Sequence, residues 1–403
     1  MPKKRIALIT IWFPPINGVA VNRMKAFASY LSDDFELEIF TVGKETKTIA
    51  ENFGTVHYIK NSTLWSKIEH KKGDFKMIHH LKTIINLLSI KLNISKLKSW
   101  QKSVVNTLMH QHEKQSFDVL ISSFAPVEAH NVAFAFKNKY PDVKWVADMR
   151  DEMSKNPFIS ASIQKRMQQK EIEFSEIIDA ITTVSLPILD DFKAIFPKVK
   201  FFEEVRNGFA HNITPRKHFN EKFTFVYAGT FYGLIKPDHF FKVLVRLMKT
   251  KQISSDICIK FVGTHNNFTI PKEIQPLVEF IPEVPYLEAV KYMNNADCNL
   301  LLVPPMEAKG RFTGKLFDYL SVEKPILAMI DKSDVGATLI KEHNGGVVTD
   351  FSDEVEIEKG IISVYELWKN KIFLPIDSDK TKTLHRKHQV NKVKLLIQKL
   401  ITD

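Results

Sequence analysis

The feature that most constrains this chain is an alternation repeated along its length. Short, continuous runs of aliphatic and β-branched residues are separated by longer stretches with helical spacing. The runs Arg5–Ile11, Leu37–Thr41, Val119–Ile121, Lys144–Ala147, Ala180–Val184 and Phe201–Val205 make one series. A second series is Phe223–Tyr227, Ile257–Val262, Val278–Ile281, Cys298–Val303, Ile326–Ile330 and Gly346–Val348. Most are apolar at successive rather than alternate positions, which predicts strands covered on both faces, as in a parallel sheet. Val19–Leu31, Val127–Lys139 and Pro237–Lys249 carry helical periodicity. Strand–helix repetition of this kind predicts α/β architecture built from right-handed βαβ units in doubly wound sheets.

The two series part at Asn207–Glu221, a polar stretch with one Gly and one Pro that reads as an interdomain linker. With 403 residues there is length for two domains, each able to bury a core. The expected organisation is an N-terminal Rossmann-like domain over 1–210, carrying a basic helical insertion at about 60–114, and a C-terminal domain over 211–385. A final helix at 386–403 is expected to return to the N-terminal domain. The two sheets would face each other across a cleft, with ligands at the carboxyl ends of the strands.

Composition narrows the function classes. At 44% hydrophobic and 26% charged residues the chain has the profile of a globular protein. Cys258 and Cys298 are too few to staple it, which points to buried thiols in a reducing compartment and away from a structural zinc site. Lys3, Lys4 and Arg5 before Ile6–Phe13 could pass for a signal peptide, but the apolar run ends at Pro14-Pro15 without a small-residue cleavage site. No run is long enough to span a bilayer. A cytoplasmic protein is expected.

The net charge of +11 predicts acidic partners. Most of it lies in Lys60–Lys114, where eleven lysines face three acids. There Met77, Ile78, Leu81, Ile84, Ile85, Leu88 and Leu92 form one apolar helical face, with Lys76, Lys82, Lys91, His79 and His80 off it. Two readings stand: the stripe packs on the N-terminal sheet, or a helical pair docks on an anionic membrane surface, making the protein peripheral on the inner face. Nucleic acid is not an expected partner, because Trp65, Phe75 and Trp100 do not interleave with the basic residues as stacking platforms would.

Four motifs carry chemistry. Phe13-Pro-Pro-Ile-Asn-Gly18-Val-Ala20 follows the first strand and opens a helix, exposing N–H groups suited to a phosphate or sugar hydroxyl. Asp148, Arg150 and Asp151 cluster after a buried strand, where side chains are expected to point toward the cleft. Gly229-Thr230-Phe-Tyr-Gly233-Leu-Ile-Lys236 follows the first strand of the second series; its glycines allow close backbone approach and Lys236 offers charge. In Lys309-Gly310-Arg311-Phe312-Thr313-Gly314-Lys315-Leu-Phe-Asp318-Tyr-Leu320 a glycine-bearing loop enters a helix. Free N–H groups near Thr313 and Gly314, with Arg311 and Lys315, favour a diphosphate, and Asp318 one turn on could accept from ribose hydroxyls. The bland alternatives are a connecting turn, a loop-fixing Asp–Arg pair, a solvated lysine and a capped helix. No G-x-G-x-x-G or Walker sequence is present, which removes support for a dinucleotide cofactor or ATP hydrolysis.

Taken together with Ile181–Ser185, Arg206–Ala210, Phe261–Gly263 and Ala296–Pro304, these motifs resemble, over nearly the whole chain, a GT-B-fold glycosyltransferase of the family 4-like type. The resemblance implies two Rossmann-like domains and a retaining transfer of sugar from a nucleotide-sugar donor to a glycan or lipid-linked acceptor, in the manner of cell-surface polysaccharide synthesis. It implies no cofactor and no obligatory metal. By the same resemblance Gly18 lies near the donor diphosphate and the acceptor, Lys236 and Lys315 stabilise the diphosphate, and Asp318 binds the ribose. Asp148 or Asp151 would orient or deprotonate the acceptor. Three positions depart from the pattern. Thr230 stands where the family often has an Arg, Gly310 where it has the first of two acids, and Arg150 replaces a cleft histidine. Glu307 is displaced from the first acid's position, and Arg311 could restore the charge missing at Thr230. Rival readings are a non-catalytic glycosyltransferase-like subunit, a GT-B-fold nucleotide-sugar epimerase and a nucleic-acid-binding protein.

Overall fold

The computed structural model of the protein describes residues 2–62, 95–265, 268–306 and 309–402. It divides into two compact units, residues 1–205 with 390–403, and residues 206–389.

In the first unit, eight strands form one sheet: β1 (Arg5–Ile9), β2 (Glu36–Gly43), β3 (Lys47–Glu51), β4 (Gly54–Lys60), β5 (Val119–Phe124), β6 (Lys144–Met149), β7 (Ala180–Thr183) and β8 (Phe201–Glu204). Their order is β3-β4-β2-β1-β5-β6-β7-β8, and every pair is parallel except β3–β4. The chain works outward in both directions from β1, so the strand order reverses between β1 and β5. Most of the apolar runs end up buried as expected; β1, β5 and β7 are buried at every position, whereas β8 at the edge is only half-buried. The β3–β4 hairpin was not legible in the sequence. Lys47-Thr-Ile-Ala-Glu51 is largely exposed, and its charged ends suit an edge strand, where they discourage further pairing.

Helices cover both faces of this sheet. On one side α1 (Val19–Leu31) packs through Met24, Phe27 and Leu31. It shares its apolar cluster with Val390, Val393, Ile397 and Leu400 of the last helix, α12 (Arg386–Thr402). On the other side lie α2 (Lys98–Lys114), α3 (Glu128–Lys139), α4 (Ala161–Ser175) and α5 (Leu186–Ile195). In α2 Trp100, Val104 and Leu108 recur every four residues and are fully buried. The rest of the basic stretch, including the stripe Met77–Leu92 with Lys76, Lys82, Lys91, His79 and His80, lies outside the described residues.

The second unit holds a six-stranded, wholly parallel sheet in the order β11-β10-β9-β12-β13-β14. The strands are β9 (Phe223–Ala228), β10 (Ile257–Val262), β11 (Val278–Ile281), β12 (Cys298–Leu302), β13 (Ile326–Met329) and β14 (Gly346–Thr349). Here the order reverses between β9 and β12. Helices α6 (Asp238–Lys249) and α10 (Glu354–Lys369) cover one face. The other face carries α7 (Tyr286–Asn294), α8 (Gly314–Ser321) and α9 (Val335–Glu342). A short α11 (Ser378–Thr383) follows α10. Burying one Phe or Leu such as Phe240, Phe241, Leu244 or Leu247 of α6 contributes about 1.5–3 kcal/mol.

The stretch read as a linker is tied down within the second unit. Phe209 is buried in its core and its N–H donates to the Leu384 carbonyl at 3.2 Å. The Asn220 N–H donates to Asp297 Oδ1 at 3.0 Å. The stretch is polar because its groups bond to side chains, a pattern that periodicity does not reveal. Cys298 is fully buried, and Cys258 is held up at about 11 by burial and by Glu279; both are free thiols. Among the described residues no helix is long and apolar enough to cross a membrane.

Candidate nucleotide-sugar site

Each unit presents loops at the carboxyl ends of its strands, where doubly wound sheets bind ligands beside the reversal of strand order. The two edges differ in chemistry.

In the first unit the Asp148 carboxylate, at the end of β6, is fully buried. Arg23 from α1, itself 2% exposed, donates to it from Nη2 at 2.6 Å and from Nε at 3.1 Å. Ser123 and Thr182 on the flanking strands donate their hydroxyls at 3.0 and 2.8 Å. Arg23 also donates to the Val205 carbonyl at 2.6 Å. Burial alone would raise the Asp148 pKa; the guanidinium and these hydrogen bonds outweigh it and hold the carboxyl below its ordinary value. The expectation that Asp148 points toward ligand is therefore corrected. Its oxygens are saturated inside the unit, and it joins α1 to the middle of the sheet. Arg23 went unnoticed in the sequence, although a charge four residues before Phe27 on the core face of α1 was the available signal.

Arg150 turns inward as well. Its Nε donates to the Phe124 carbonyl at 2.6 Å and its Nη2 to the Ala125 carbonyl at 3.1 Å, fixing the loop after β5. Burial pulls its pKa down, while Asp148 and Asp151 pull it up. Asp151 stays half-buried, and among the described residues no hydrogen bond occupies its carboxylate. Gly18 is exposed at the start of α1, with φ of 149° and open space where a Cβ would sit. His130 is a packed histidine, bonded to Ser122 Oγ at 2.7 Å and pushed down to about 3 by burial.

The second unit assembles a different edge. Gly229 ends β9 with φ of 122°, a conformation that favours glycine. A Cβ there would lie 3.0 Å from Lys315 Nζ, so the missing side chain also makes room for the ammonium. The same ammonium sits 3.9 Å from the centroid of the Tyr227 ring, a cation–π contact. Among the described residues no carboxylate pairs with it. Burial without a counter-charge pulls the Lys315 pKa down to about 7.

Lys315 occupies the first turn of α8, whose preceding residue, Thr313, makes no side-chain cap. The Leu316 N–H turns back to the Thr313 carbonyl at 3.1 Å. Among the described residues the N–H groups of Gly314 and Lys315 have no acceptor. One turn on, burial pushes Asp318 up to about 6, and Tyr286 Oη donates to its Oδ1 at 2.6 Å. The Ser321 hydroxyl, 2.7 Å from His211 Nε2, donates to the Asp318 carbonyl oxygen at 2.6 Å and braces the helix from behind. Tyr286 and His211 were not singled out from the sequence, because neither belongs to a spaced motif, and Tyr227 was read only as part of the first strand of the second series.

The other expected residues fall around this centre. Thr230 is exposed just past Gly229, and its carbonyl accepts from Tyr227 Oη at 3.2 Å. Lys236 is exposed at the end of the same loop, with no ion pair among the described residues. Arg311 is half-buried, two residues before Thr313. Gly310 is buried, and its N–H donates at 2.8 Å to Asp334 Oδ1, the carboxylate that also caps α9. Glu307 lies outside the described residues. Among the described residues no three His, Cys, Asp or Glu side chains are grouped to hold a metal ion.

No family model and no curated protein sequence matches the chain. Solved structures do. Sucrose-phosphate synthase from Thermosynechococcus elongatus aligns over 99% of this chain and 100% of its own, with a TM-score of 0.66 and 12% identity. The lipopolysaccharide outer core galactosyltransferase WaaB aligns over 98% and 99%, with a TM-score of 0.60 and 12% identity. The fold is GT-B. Anabaena HepE, solved in complex with UDP, shares it at a TM-score of 0.57 and 12% identity, over 98% of each chain. At such identities the likeness establishes the GT-B fold, and the chemistry must be argued from this chain's own residues.

Proposed function

We propose that the protein is a retaining glycosyltransferase whose second unit binds a nucleotide-sugar donor at the carboxyl edge of β9 and β12. The observation that carries the reading is Lys315. A half-buried ammonium without a carboxylate, set against a glycine and beside two unused N–H groups at a helix start, is an incomplete site that a diphosphate completes. GT-B neighbours, one named a galactosyltransferase, one a sucrose-phosphate synthase and one solved with UDP, support the same reading.

The chain's residues take these roles. Lys315 and the N–H groups of Gly314 and Lys315 meet the diphosphate, with Arg311 and Lys236 adding charge. Gly229 and Thr230 let the backbone come close to it. Asp318, oriented by Tyr286, accepts from the ribose hydroxyls. As the bond from the anomeric carbon to the phosphate oxygen breaks, negative charge grows on the leaving nucleoside diphosphate. Stabilising that charge is the main lever available to the protein. The incoming hydroxyl forms its bond on the face that the leaving group vacates and passes its proton to the departing phosphate oxygen. This balances the transfer with no cofactor and no obligatory metal. On the first unit Gly18 and Asp151 are assigned to the acceptor, Asp151 in place of the saturated Asp148.

The acceptor is a glycan or a lipid-linked sugar of the kind used in cell-surface polysaccharide synthesis. The net +8 of residues 60–114 supports a peripheral position on an anionic membrane. Vesicles containing anionic lipid are expected to retain the protein at low salt and release it at high salt. Equal indifference to anionic and neutral vesicles contradicts the membrane assignment.

The site itself is tested by thermal-shift screening with uridine, guanosine and adenosine diphosphates, followed by a donor-hydrolysis assay with the matching nucleotide sugar. A stabilising nucleotide with slow donor turnover is expected. A stabilising nucleotide with no turnover in any acceptor mixture favours a non-catalytic subunit, as the empty acid position at Gly310 would allow.

A further inference from the structure

The second unit contains another cavity, at the opposite edge of its sheet. Its walls include Phe219 just before β9, Asp297 just before β12 and Pro325 just before β13, so it lies at the amino ends of the strands. The residues assigned to the donor lie at the carboxyl ends. A strand of five or six residues separates the two edges, about 15–20 Å. The cavity measures about 120 Å³.

Its floor is cationic. Lys324 is 5% exposed, and its ammonium donates to the His218 carbonyl at 3.2 Å and lies 3.3 Å from His218 Nδ1. One of its three N–H groups is left over, and among the described residues no carboxylate lies within ion-pair distance. Asp297 lines the cavity, but its oxygens are taken by the Asn220 N–H, Asn220 Nδ2 and the Thr224 N–H at 2.9–3.0 Å. Glu323 is the other acid in the wall, against Arg216, Lys217 and Lys324. Burial pulls the Lys324 ammonium down to about 8, partly offset by the charge of Asp297 and reinforced by Arg216.

The remaining wall is aromatic. Phe219 and Phe373 stack with centroids 4.5 Å apart, and the Trp368 ring lies beside them. Trp368 donates its indole N–H to the Asn220 carbonyl at 2.9 Å, and the Lys371 ammonium lies 4.6 Å from its ring centroid. An apolar cavity of ~150 Å³ holds one benzene ring, so this space suits a single ring or a short acyl chain.

We propose that this cavity is a second ligand site that takes a small organic anion, with a carboxylate or phosphate on Lys324 and an apolar body against Trp368 and the Phe219–Phe373 stack. Helix α8 carries Lys315 in its first turn at the donor site, and Lys324 follows its last residue by three positions, so one short element links both places. An occupant held by Lys324 is in position to act as an effector of the donor site. The binding itself does not depend on the transfer activity.

The test is thermal unfolding of the full chain with millimolar phenyl phosphate, benzoate, inorganic phosphate or benzyl alcohol. At least one of the two aryl anions is expected to raise Tm by about 2 °C or more, and the preferred one reports which acid group the site takes. Inorganic phosphate and benzyl alcohol each lack half of the ligand and are expected to give less than half that shift. Lys324→Gln should abolish it. Phe373→Ala, at a half-exposed position that leaves the fold intact, should at least halve it. Lys315→Ala should leave it unchanged, which separates this site from the donor site. No shift with either aryl anion, an equal shift with either partial probe, or a shift that survives both Lys324→Gln and Phe373→Ala overturns the proposal.

Discussion

The two units place charge at the same point of the same architecture and treat it in opposite ways. At the end of β6 the first unit buries Asp148 and supplies everything it needs: a guanidinium from α1 and two hydroxyls from neighbouring strands. At the end of β9 and the start of α8 the second unit half-buries an ammonium, and near it a carboxylate, and supplies neither with a counter-charge in contact. The first arrangement is finished; nothing remains for a ligand to add. The second is costly while empty, and the shifts of Lys315 to about 7 and Asp318 to about 6 register that cost. Depth of burial alone would have ranked Asp148 as the most perturbed and most functional acid. What distinguishes a site from a structural pair here is whether the protein itself has already answered the charge.

The contrast can be broken at either end. The largest effect is expected in the first unit. Arg23→Met strands the Asp148 carboxylate and should cost about 3–5 kcal/mol of stability in denaturant unfolding, while a double replacement of Arg23 and Asp148 by apolar residues should recover much of it. A loss near zero for the single replacement would remove the structural assignment of the pair. Next comes Lys315→Ala, expected to lower turnover ~10²-fold or more through lost stabilisation of the leaving group. Unlike Arg23→Met, it should not destabilise the empty protein. Because the folded-state pKa lies below the lysine's ordinary value, the charge costs stability at neutral pH, and that cost fades as pH rises from about 7 toward 10.5. Lys315→Met should therefore raise the Tm of the unliganded protein, by about 2–4 °C for each kcal/mol recovered.

A smaller effect concerns pH. Asp318 must be ionised to accept ribose hydroxyls, and Lys315 must be protonated to meet the diphosphate. Affinity for a nucleotide sugar should then peak between about 6 and 7 and fall on both sides. Calorimetric titration across this range checks it. Lys315→Arg should flatten the alkaline limb, and Asp318→Asn should remove the acid limb with ~10-fold weaker binding at the optimum. A flat profile in the unmodified protein would remove both assignments. The smallest effect is expected for Lys236→Ala, within ~10-fold in turnover, because an exposed ammonium acts through water. A loss as large as that of Lys315→Ala would show that Lys236 is desolvated during turnover.

Much of this was legible in the sequence and some was not, for physical reasons. Continuous apolar runs marked twelve of the fourteen strands among the described residues, because burial on both faces of a sheet leaves its mark on composition. Strand β3 escaped because an exposed edge strand has no such demand, and β4 because Thr55 and His57 interrupt its apolar residues. Lys315 and Asp318 were visible because a glycine-rich loop entering a helix has fixed spacing. Tyr286 and His211 were not, since their relation to Asp318 exists only through the fold. Asp148 was placed just after its strand, which runs on to Met149, and was misjudged in direction because its partner Arg23 lies 125 residues away in sequence.

The claim on which the rest depends is that the Lys315 ammonium waits for a diphosphate. Lysine-selective NMR titration of the full chain measures this directly. The Lys315 signal, assigned by its loss in Lys315→Arg, should titrate near 7 in the free protein and move up by a pH unit or more when the preferred nucleoside diphosphate is added. A signal that titrates at the ordinary lysine value and ignores the nucleotide would contradict the account.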